Sequence, residues 1–307
     1  MKGILLVDMG GAANPPELKK FLARMFNDPF IIPLGKLGRA FLSFFISNTR
    51  YKKSWKKYEM IGGSPIIEAT RQTVISLQKE LGENYNVKLA FSYSKPLIKE
   101  SLALFINEHI FDVTVIPLYP QSSFSTTYSV ENDVNSVLEE NKNLKINFIK
   151  EFYAMDAFVD FWSGLILNHL EKENYLHPYL LFSAHSIPTF MANNGDTYPK
   201  AIEESAKLIA KKTGLNFEFA YQSRMKGKWI GPDTKDSLKK LAEQGKDEIL
   251  IIPISFVNEN LETMFDLDHD IIPFAKTELG IKNISRAAIP VANQTFINLL
   301  KDIIEKK

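Results

Sequence analysis

The sequence predicts an α/β fold built from two similar doubly wound halves. We expect the halves to join near residue 150, each with a parallel sheet that helices cover. Short apolar runs alternate with amphipathic segments through the 307 residues, a pattern typical of repeated strand–helix units. Several runs are apolar at nearly every position, as expected where helices cover both faces of a parallel sheet. About eight such units are too many for one small sheet.

The elements follow in chain order from these runs. We expect strands at 4–9, 87–93, 113–119, 146–149, 179–185, 217–222, 249–257 and 286–290. The segments between them predict helices at 66–82, 96–109, 126–141, 155–172, 198–213, 233–245 and 293–306. We expect a first domain at 1–150, a second at 151–285, and a segment 286–307 whose helix returns to the first domain. A closed eight-fold barrel is the competing fold.

Composition excludes several classes of function. The 37 basic and 36 acidic residues nearly cancel, which is not the charge footprint of a nucleic-acid-binding protein. The sequence has no cysteine, which excludes disulfides, thiolate metal sites, cysteine-ligated iron–sulfur clusters and cysteine nucleophiles. No run reaches the roughly 18 apolar residues that cross a bilayer. We therefore expect a soluble protein of the cytoplasm.

Segment 30–57 interrupts the strand–helix alternation. Its first part is rich in large apolar side chains, and four of them recur at helical spacing: Leu34, Leu37, Phe41 and Phe44. A basic cluster follows, made of Arg50, Lys52, Lys53, Lys56 and Lys57. One interpretation is a core helix with a solvated basic end. The other is an apolar lip that holds a flat hydrophobic ligand or makes peripheral contact with an anionic membrane.

His185 is the strongest single candidate for chemistry. It ends the apolar run 179–185 and is followed by Ser186 and then Pro188, which cannot continue a strand. The imidazole therefore lies at the carboxyl end of a buried strand, where open α/β sheets bind ligands. A histidine in this position is often structural, but the loop that follows is long and rich in Asn, Gly and Asp, and such loops concentrate ligand contacts.

A row of carboxylates follows another apolar run. Glu262, Asp266 and Asp270 are spaced i, i+4, i+8, so on a helix they share one face. A solvated helix face is the plainer interpretation. Neutral histidine with carboxylates, in the absence of thiolates, suits a borderline or hard divalent ion. Because no His-x-x-His spacing occurs, we expect a transient path for a cation or a proton rather than a permanent metal site.

The glycine-rich turn after the first run does not indicate a nucleotide. Met9 is followed by Gly10 and Gly11, but the segment lacks the Gly-x-Gly-x-x-Gly fingerprint of dinucleotide binding. The hydroxyl-rich segment 122–127 can bind carboxylates or phosphates, and it can equally cap a helix. No organic cofactor is expected.

Taken in chain order, these segments resemble ferrochelatase, the family of enzymes that insert ferrous iron into a porphyrin at the end of haem synthesis. The resemblance runs from Gly3 to about Ala292. The motifs that carry it are LVDMGG at 6–11, FLARMFND at 21–28, YEMIGGSPI at 58–66, PLYPQ at 117–121, STT at 125–127, FSAHSIP at 182–188, GD at 195–196, YQS at 221–223, WIGP at 229–232, PISFV at 253–257 and LET at 261–263. No single motif is decisive, but the ordered set is specific.

The resemblance implies two Rossmann-like domains, each with a doubly wound, parallel sheet of four strands, and a porphyrin cleft between them. It assigns His185 and Glu262 as catalytic residues that contact the metal. It also implies that Asp266 and Asp270 form a metal or proton path. The implied porphyrin contacts are Met9, Leu34, Tyr119, Gln121, Ser122, Thr126, Ser186, Pro188 and Trp229. Fe²⁺ is then a substrate, no iron–sulfur cluster is present, and we expect a monomer or weak homodimer.

Three positions depart from the family pattern. Asn260 stands where relatives often carry a histidine, Tyr128 where a glycine is common, and Ser92 where an arginine often precedes the tyrosine. The arginine's absence removes one expected contact with a propionate. These departures concern substrate contacts more than the reaction.

The leading hypothesis is insertion of iron into protoporphyrin, with coproporphyrin as the nearest variant; Met9 favours protoporphyrin. A cobalt chelatase for a more carboxylated tetrapyrrole is a second enzyme class, and the apolar lip argues against it. A non-catalytic porphyrin or haem carrier needs the cleft but not the pair of His185 and Glu262. A nucleotide-dependent Rossmann enzyme is disfavoured by the missing fingerprint.

Overall fold

Eight strands form two parallel sheets of four in the computed structural model, which describes residues 1–224 and 227–305. The first sheet contains β1 (Lys2–Asp8), β2 (Tyr85–Phe91), β3 (Asp112–Pro117) and β4 (Lys145–Phe148), in the order β2-β1-β3-β4. The second contains β5 (Tyr179–His185), β6 (Phe217–Gln222), β7 (Glu248–Ile252) and β8 (Asn283–Arg286), in the order β6-β5-β7-β8. The two orders are the same, so the prediction of two similar α/β halves is confirmed and the barrel alternative is wrong.

The helices lie between the strands, and those that the periodicity predicts are among them. They are α1 (Pro15–Met25), α2 (Lys36–Met60), α3 (Ile66–Leu81), α4 (Ile98–Asn107), α5 (Ser129–Glu140), α6 (Asp156–Lys172), α7 (Thr189–Asn193), α8 (Tyr198–Thr213), α9 (Thr234–Glu243), α10 (Ile272–Thr277) and α11 (Gln294–Glu305). Two π-helical segments, Phe124–Tyr128 and Glu262–Ile271, complete the described part of the chain. The chain divides into one unit of Met1–Glu151 with Val291–Lys307 and another of Phe152–Pro290.

In the first unit, helices cover both faces of the sheet. Leu5 and Val7 of β1 are fully buried in a cluster with Leu102 and Phe105 of α4 and with residues of α5. Helix α3 packs against β1 and β2, and the C-terminal helix α11 packs on α3. The last helix therefore returns to the first half, as expected.

In the second unit, β5 and β7 form the centre of the sheet. Leu181 and Ile251 are fully buried in a cluster that includes Leu241 of α9 and two residues of the second π-helical segment, Leu267 and Ile271. Helix α8 packs against β5 and β6 and also contacts α6. The π-helical segment is thus part of the core of this unit.

Two of the predicted strands differ most from the structure. The run 249–257 forms a strand only to Ile252, because Pro253 has no N–H to donate and the chain then turns, with Ile254 N bonded to Ile252 O at 2.9 Å. The run at 286–290 is not a strand. Its neighbour β8 ends at Arg286, which pairs with Ile251 near the end of β7, so the sheet finishes there.

Helix α2 is not the core helix that one interpretation of segment 30–57 proposed. Leu37, Phe41 and Phe44 are 88%, 74% and 69% exposed, and the buried side chains of α2 are Ser43, Ser47 and Tyr58. The small polar side of the helix therefore faces the protein and the apolar stripe faces outward. In the residues that the structure describes, no helix is both long and apolar enough to traverse a bilayer.

Candidate active site

The strand order of the second sheet reverses between β5 and β7. β5 pairs with β7 only as far as Phe182 and Ile252, whereas it pairs with β6 to its last residue, His185 opposite Gln222. Beyond Ile252 the chain leaves β5 and leads to Glu262. The chain leads from β5 to β6 at one edge of the sheet and from β7 to β8 at the other. Doubly wound folds bind ligands at the carboxyl ends of two such neighbouring strands.

The backbone of His185 is held on both sides. Its N–H donates to Ser255 Oγ at 3.2 Å, in the loop that follows β7. Its carbonyl oxygen accepts a hydrogen bond from Tyr198 Oη at 3.0 Å. Burial raises the pKa of the Tyr198 phenol well above its usual value, so this group remains a donor at neutral pH. The half-buried imidazole is therefore carried by a fixed segment of chain.

The imidazole itself has a defined tautomer. Nδ1 of His185 lies 2.6 Å from the carbonyl oxygen of Ser186. Because a carbonyl oxygen only accepts, Nδ1 carries the hydrogen and donates it. The neutral ring then has its lone pair on Nε2, and that nitrogen can accept a proton or bind a divalent metal.

Three predicted porphyrin contacts surround His185. The Trp229 ring centroid lies 6.4 Å from the imidazole, with an angle of 59° between the planes. Pro188 and Trp229 form an isolated antiparallel bridge. Ser186 is fully buried, and its hydroxyl donates to the carbonyl of Ile230 at 2.9 Å. Ser186 thus supports the loop, while Pro188 and Trp229 are half-buried beside His185.

Glu262 begins the second π-helical segment, and a polar pair holds its start. Asn260 Oδ1 accepts from Thr263 N at 2.9 Å, and Thr263 Oγ1 accepts from Asn260 N at 3.0 Å. This reciprocal arrangement resembles a capping box. Asn260, which stands where relatives often carry a histidine, therefore holds the start of this segment. Glu262, two residues later, is half-buried.

The carboxylate row lies on a π-helix rather than on the α-helix that the spacing suggested. Hydrogen bonds of a π-helix run from i to i+5, so each turn takes more residues, and such segments are rare and frequent at functional sites. Buried residues at the same spacing, Thr263, Leu267 and Ile271, anchor the segment to the core. Glu262, Asp266 and Asp270 each stand one position before one of these buried residues.

The outer members of the row have partners on neighbouring elements. Asp266 Oδ2 accepts from Ser223 Oγ at 2.7 Å. Asp270 is exposed, and its Oδ1 lies 2.7 Å from Nζ of Lys235. Lys235 therefore neutralises the outer end of the row, whereas Asp266 receives a hydrogen bond from a neutral group.

Gln222 connects the two candidate residues and was not identified as a site residue from the sequence. It is the sheet partner of His185. Its side-chain Oε1 accepts from Ser183 Oγ at 2.6 Å, and its Nε2 donates to the backbone carbonyl of Glu262 at 3.4 Å. The sequence signal for Gln222 is a polar amide at the end of an apolar run. A polar side chain that is buried there needs hydrogen-bond partners.

In the first unit, the predicted contacts gather at the carboxyl ends of β1 and β3. Met9 N donates to Asp8 Oδ1 at 2.7 Å, and Tyr119 follows β3. Burial and the nearby Asp8 carboxylate raise the pKa of Tyr119 well above its usual value, while a hydrogen bond with Ser92 acts in the opposite direction. Ser92, in place of the family's arginine, is thus a partner of Tyr119.

The turn after Met9 requires glycine. Gly10 has φ +89°, a conformation that other residues rarely adopt. A Cβ added to Gly11 would come within 1.9 Å of Ser64 Oγ. The two glycines therefore let the chain turn sharply while packing against the start of α3.

The other predicted contacts of this unit differ in exposure. Gln121 and Ser122 are buried, and Thr126 is half-buried within the first π-helical segment. Leu34, just before α2, is 50% exposed. Within residues 1–224 and 227–305, no three or more His, Cys, Asp or Glu side chains cluster as a metal site.

The chain is similar to known proteins along its whole length. The model of the family described as Ferrochelatase matches residues 1–307. Curated relatives include the ferrochelatase of Aquifex aeolicus, 34% identical over 100% of this chain and 99% of the relative. The ferrochelatase of Geotalea uraniireducens is 33% identical over 99% of this chain and 97% of the relative.

Solved structures with little sequence similarity share the fold. SirB from Bacillus subtilis with Fe³⁺ has a TM-score of 0.62 at 10% identity, covering 100% of this chain and 97% of SirB. DR2241 from Deinococcus radiodurans, described as a multi-domain protein with structural similarity to chelatases, has a TM-score of 0.56 at 10% identity. The match covers 99% of this chain and 55% of DR2241.

Proposed function

Because the chain belongs to the ferrochelatase family and is a metal-chelating lyase, we propose that it inserts Fe²⁺ into protoporphyrin IX. The product is protohaem, and two protons leave the ring. The metal is a substrate of this reaction, not a resident cofactor. His185 and Glu262 are the proposed catalytic pair.

The observation that carries this assignment is the hydrogen bond from His185 Nδ1 to the Ser186 carbonyl. It leaves Nε2 as the basic nitrogen, at the carboxyl edge of β5. The free porphyrin carries two inner N–H groups that must lose their hydrogens before a divalent ion can enter. An imidazole with its lone pair on Nε2 is suited to accept such a proton.

Glu262 supplies the complementary charge. Its backbone carbonyl accepts a hydrogen bond from Gln222, the sheet partner of His185, so Gln222 links the backbone of the two residues. A carboxylate stabilises both an incoming cation and a protonated imidazole. From Glu262, Asp266 is the next carboxylate of the row, and it is the proposed outlet for protons or inlet for the metal.

The ring contacts proposed from the resemblance are mainly apolar or neutral. Binding a large apolar periphery provides free energy that can hold the macrocycle bent, which directs the nitrogen lone pairs toward the metal. Trp229, whose ring lies beside the imidazole of His185, is a proposed contact of the second unit. Met9, after β1, is a proposed contact of the first. The remaining proposed contacts are Leu34, Tyr119, Gln121, Ser122, Thr126, Ser186 and Pro188.

Protoporphyrin is favoured over coproporphyrin by the groups that this chain offers. Coproporphyrin carries more propionates, and each needs a cationic or hydrogen-bonding partner. Ser92 replaces an arginine of the family and is itself engaged with Tyr119. The exposed Leu34 and the stripe on α2 add apolar rather than cationic surface.

The same stripe supports peripheral contact with a membrane. Leu37, Phe41, Phe44 and Phe45 are each more than half exposed, and lysines follow along the same helix. An amphipathic helix with apolar and cationic residues binds an anionic lipid surface through both effects.

The proposed reaction is tested by anaerobic incubation of the protein with Fe²⁺ and either porphyrin, following the loss of free-base absorption bands. Protoporphyrin should be metallated, and coproporphyrin should react more slowly. Rapid metallation of coproporphyrin alone would reverse the substrate assignment. Binding of both porphyrins without metallation would contradict the enzyme assignment and favour a carrier.

A further inference from the structure

Arg286, the last residue of β8, makes a buried ion-pair cluster beside the second π-helical segment. Its side chain is 8% exposed. Nε and Nη2 donate to the two oxygens of Asp268 at 2.9 and 2.7 Å, and Nη1 donates to Glu259 Oε1 at 2.7 Å. A guanidinium that has lost its water is tolerated only when such partners replace it, so the geometry of this cluster is closely constrained.

The two carboxylates of the cluster bracket Glu262. Glu259 precedes it by three residues and Asp268 follows it by six. Glu259 makes further bonds: Oε1 accepts from Ile289 N at 2.8 Å, and Oε2 accepts from Thr263 Oγ1 at 2.5 Å. Arg286 therefore holds Glu259 before Glu262 and Asp268 in the middle of the π-helical segment. Through Glu259 it is also linked to Thr263, the residue directly after Glu262.

We propose that Arg286 is a positioning residue that places the Glu262 carboxylate for metal insertion. This inference rests on the proposed role of Glu262. A π-helix is rarely longer than a single bulge, so ten residues in this conformation need contacts from outside the helix to hold their register. The planar guanidinium provides them, because its fork matches a carboxylate in two parallel bonds and leaves a third nitrogen for Glu259.

Arginine is required for this task, and lysine does not substitute. A lysine in place of Arg286 keeps the charge but presents a single nitrogen, so it cannot hold Asp268 in two bonds and Glu259 at once. The start of the π-helical segment then loosens relative to its middle, and Glu262 moves from its productive position. Porphyrin binding should be unaffected, because no residue of the cluster is a proposed ring contact.

The test compares Arg286→Lys, Asp268→Asn and the control Lys282→Ala in the metallation assay. Lys282 lies four residues before Arg286, and its exposed ion pair with Asp247 spans 3.5 Å. The first two variants should lose about 10- to 100-fold in kcat, as supporting residues around a metal-binding group do. Their KM for porphyrin should remain at the parental value. Lys282→Ala should behave as the parent.

To distinguish positioning of Glu262 from a merely structural role of Arg286, Arg286→Lys is also made in a Glu262→Asp background. That background retains a carboxylate but withdraws it by one methylene. If Arg286 acts through Glu262, the second change should cost much less there than in the parent, because the carboxylate is already misplaced. An equal fold-loss in both backgrounds would overturn the proposal, as would parental kcat in both Arg286→Lys and Asp268→Asn.

Two further measurements keep the outcomes distinct. Thermal unfolding monitors folding, and if Arg286→Lys does not fold, Asp268→Asn decides alone, since it leaves the bond between Arg286 and Glu259 in place. Glu262→Gln tests the underlying function: parental metallation by that variant would remove Glu262 from the mechanism and the positioning proposal with it. Loss in Glu262→Gln with parental rates in both cluster variants would overturn the positioning proposal alone.

Discussion

The phenol of Tyr198 donates to the carbonyl oxygen of His185 at 3.0 Å, although the two residues belong to different elements. Tyr198 begins α8 and is buried, while His185 ends β5. The bond ties the end of β5 to the start of α8, which follows α7 in the chain. The position of the imidazole therefore depends on the first turn of α8 as well as on the sheet.

Replacing Tyr198 by Phe should disturb both stability and rate. Loss of a buried hydrogen bond costs about 1 kcal/mol of unfolding free energy, measured by urea denaturation. The metallation rate should fall about tenfold, as when a group that orients a metal-binding histidine is removed. Tyr179→Phe is the matched control, because its hydroxyl donates to Phe217 O at 3.2 Å at the other end of β5. A control that slowed metallation equally would contradict the argument.

His185→Ala should leave porphyrin binding largely intact and abolish metallation, because it removes the proposed proton acceptor without touching the ring's periphery. Porphyrin fluorescence measures binding, and loss of the free-base bands measures insertion. His177→Ala, in an exposed loop, serves as the control. A His185 variant that metallated at near the parental rate would exclude this residue from the mechanism.

The two aspartates of the carboxylate row should differ in their effects. Asp266→Asn should slow metallation about tenfold or more, since it removes the carboxylate next along the row from Glu262. Asp270→Asn should have a small effect, because Asp270 is exposed and already paired with Lys235, and exposed pairs contribute little. Single-turnover metallation under iron excess measures both rates. Equal losses in the two variants would show that the whole row acts as one path.

His169 should make the stability of the second unit depend on pH. Its Nε2 lies 2.7 Å from Ser285 Oγ, and burial lowers the pKa of the imidazole. As the pH falls through about 6.5, the unfolded chain binds a proton on His169, whereas the folded chain binds it only at a lower pH. Stability should be complete above about pH 6.5 and should fall as the pH decreases toward the lowered pKa, by at most about 1.4 kcal/mol per pH unit for one proton.

The variant His169→Gln should remove this part of the pH dependence. Unfolding free energies from urea titrations above and below about pH 6.5, compared between variant and parent, measure it. His177→Gln, at an exposed position, is the matched control. An unchanged slope in His169→Gln would assign the pH dependence to other groups.

The apolar stripe of α2 should bind anionic vesicles. We expect the parent to co-sediment with vesicles of phosphatidylcholine and phosphatidylserine, with weaker binding at high salt. Phe41→Asp with Phe44→Asp should abolish sedimentation, whereas Ile75→Asp should not, since Ile75 is 55% exposed on α3 outside the stripe. Absence of binding by the parent would refute membrane contact.

Most of the segments that become strands and helices could be predicted from the sequence, because alternation and helical periodicity depend on near neighbours. It also placed His185 at a strand end, since the run 179–185 and Pro188 define that end locally. The order of motifs was enough to identify the family. Strand limits were less certain where the last pairing partner, such as Arg286 opposite Ile251, lies far away in the chain.

How the site residues are held depends on contacts that form when the chain folds. The tautomer of His185 depends on where the Ser186 carbonyl points, and the link through Gln222 depends on sheet pairing. The π-helical conformation around Glu262 could not be read from a spacing of four, because an α-helix accommodates the same spacing. Its ion pairs with Arg286 join residues 18 and 27 positions apart, and contacts over such separations leave no periodic signal in a sequence.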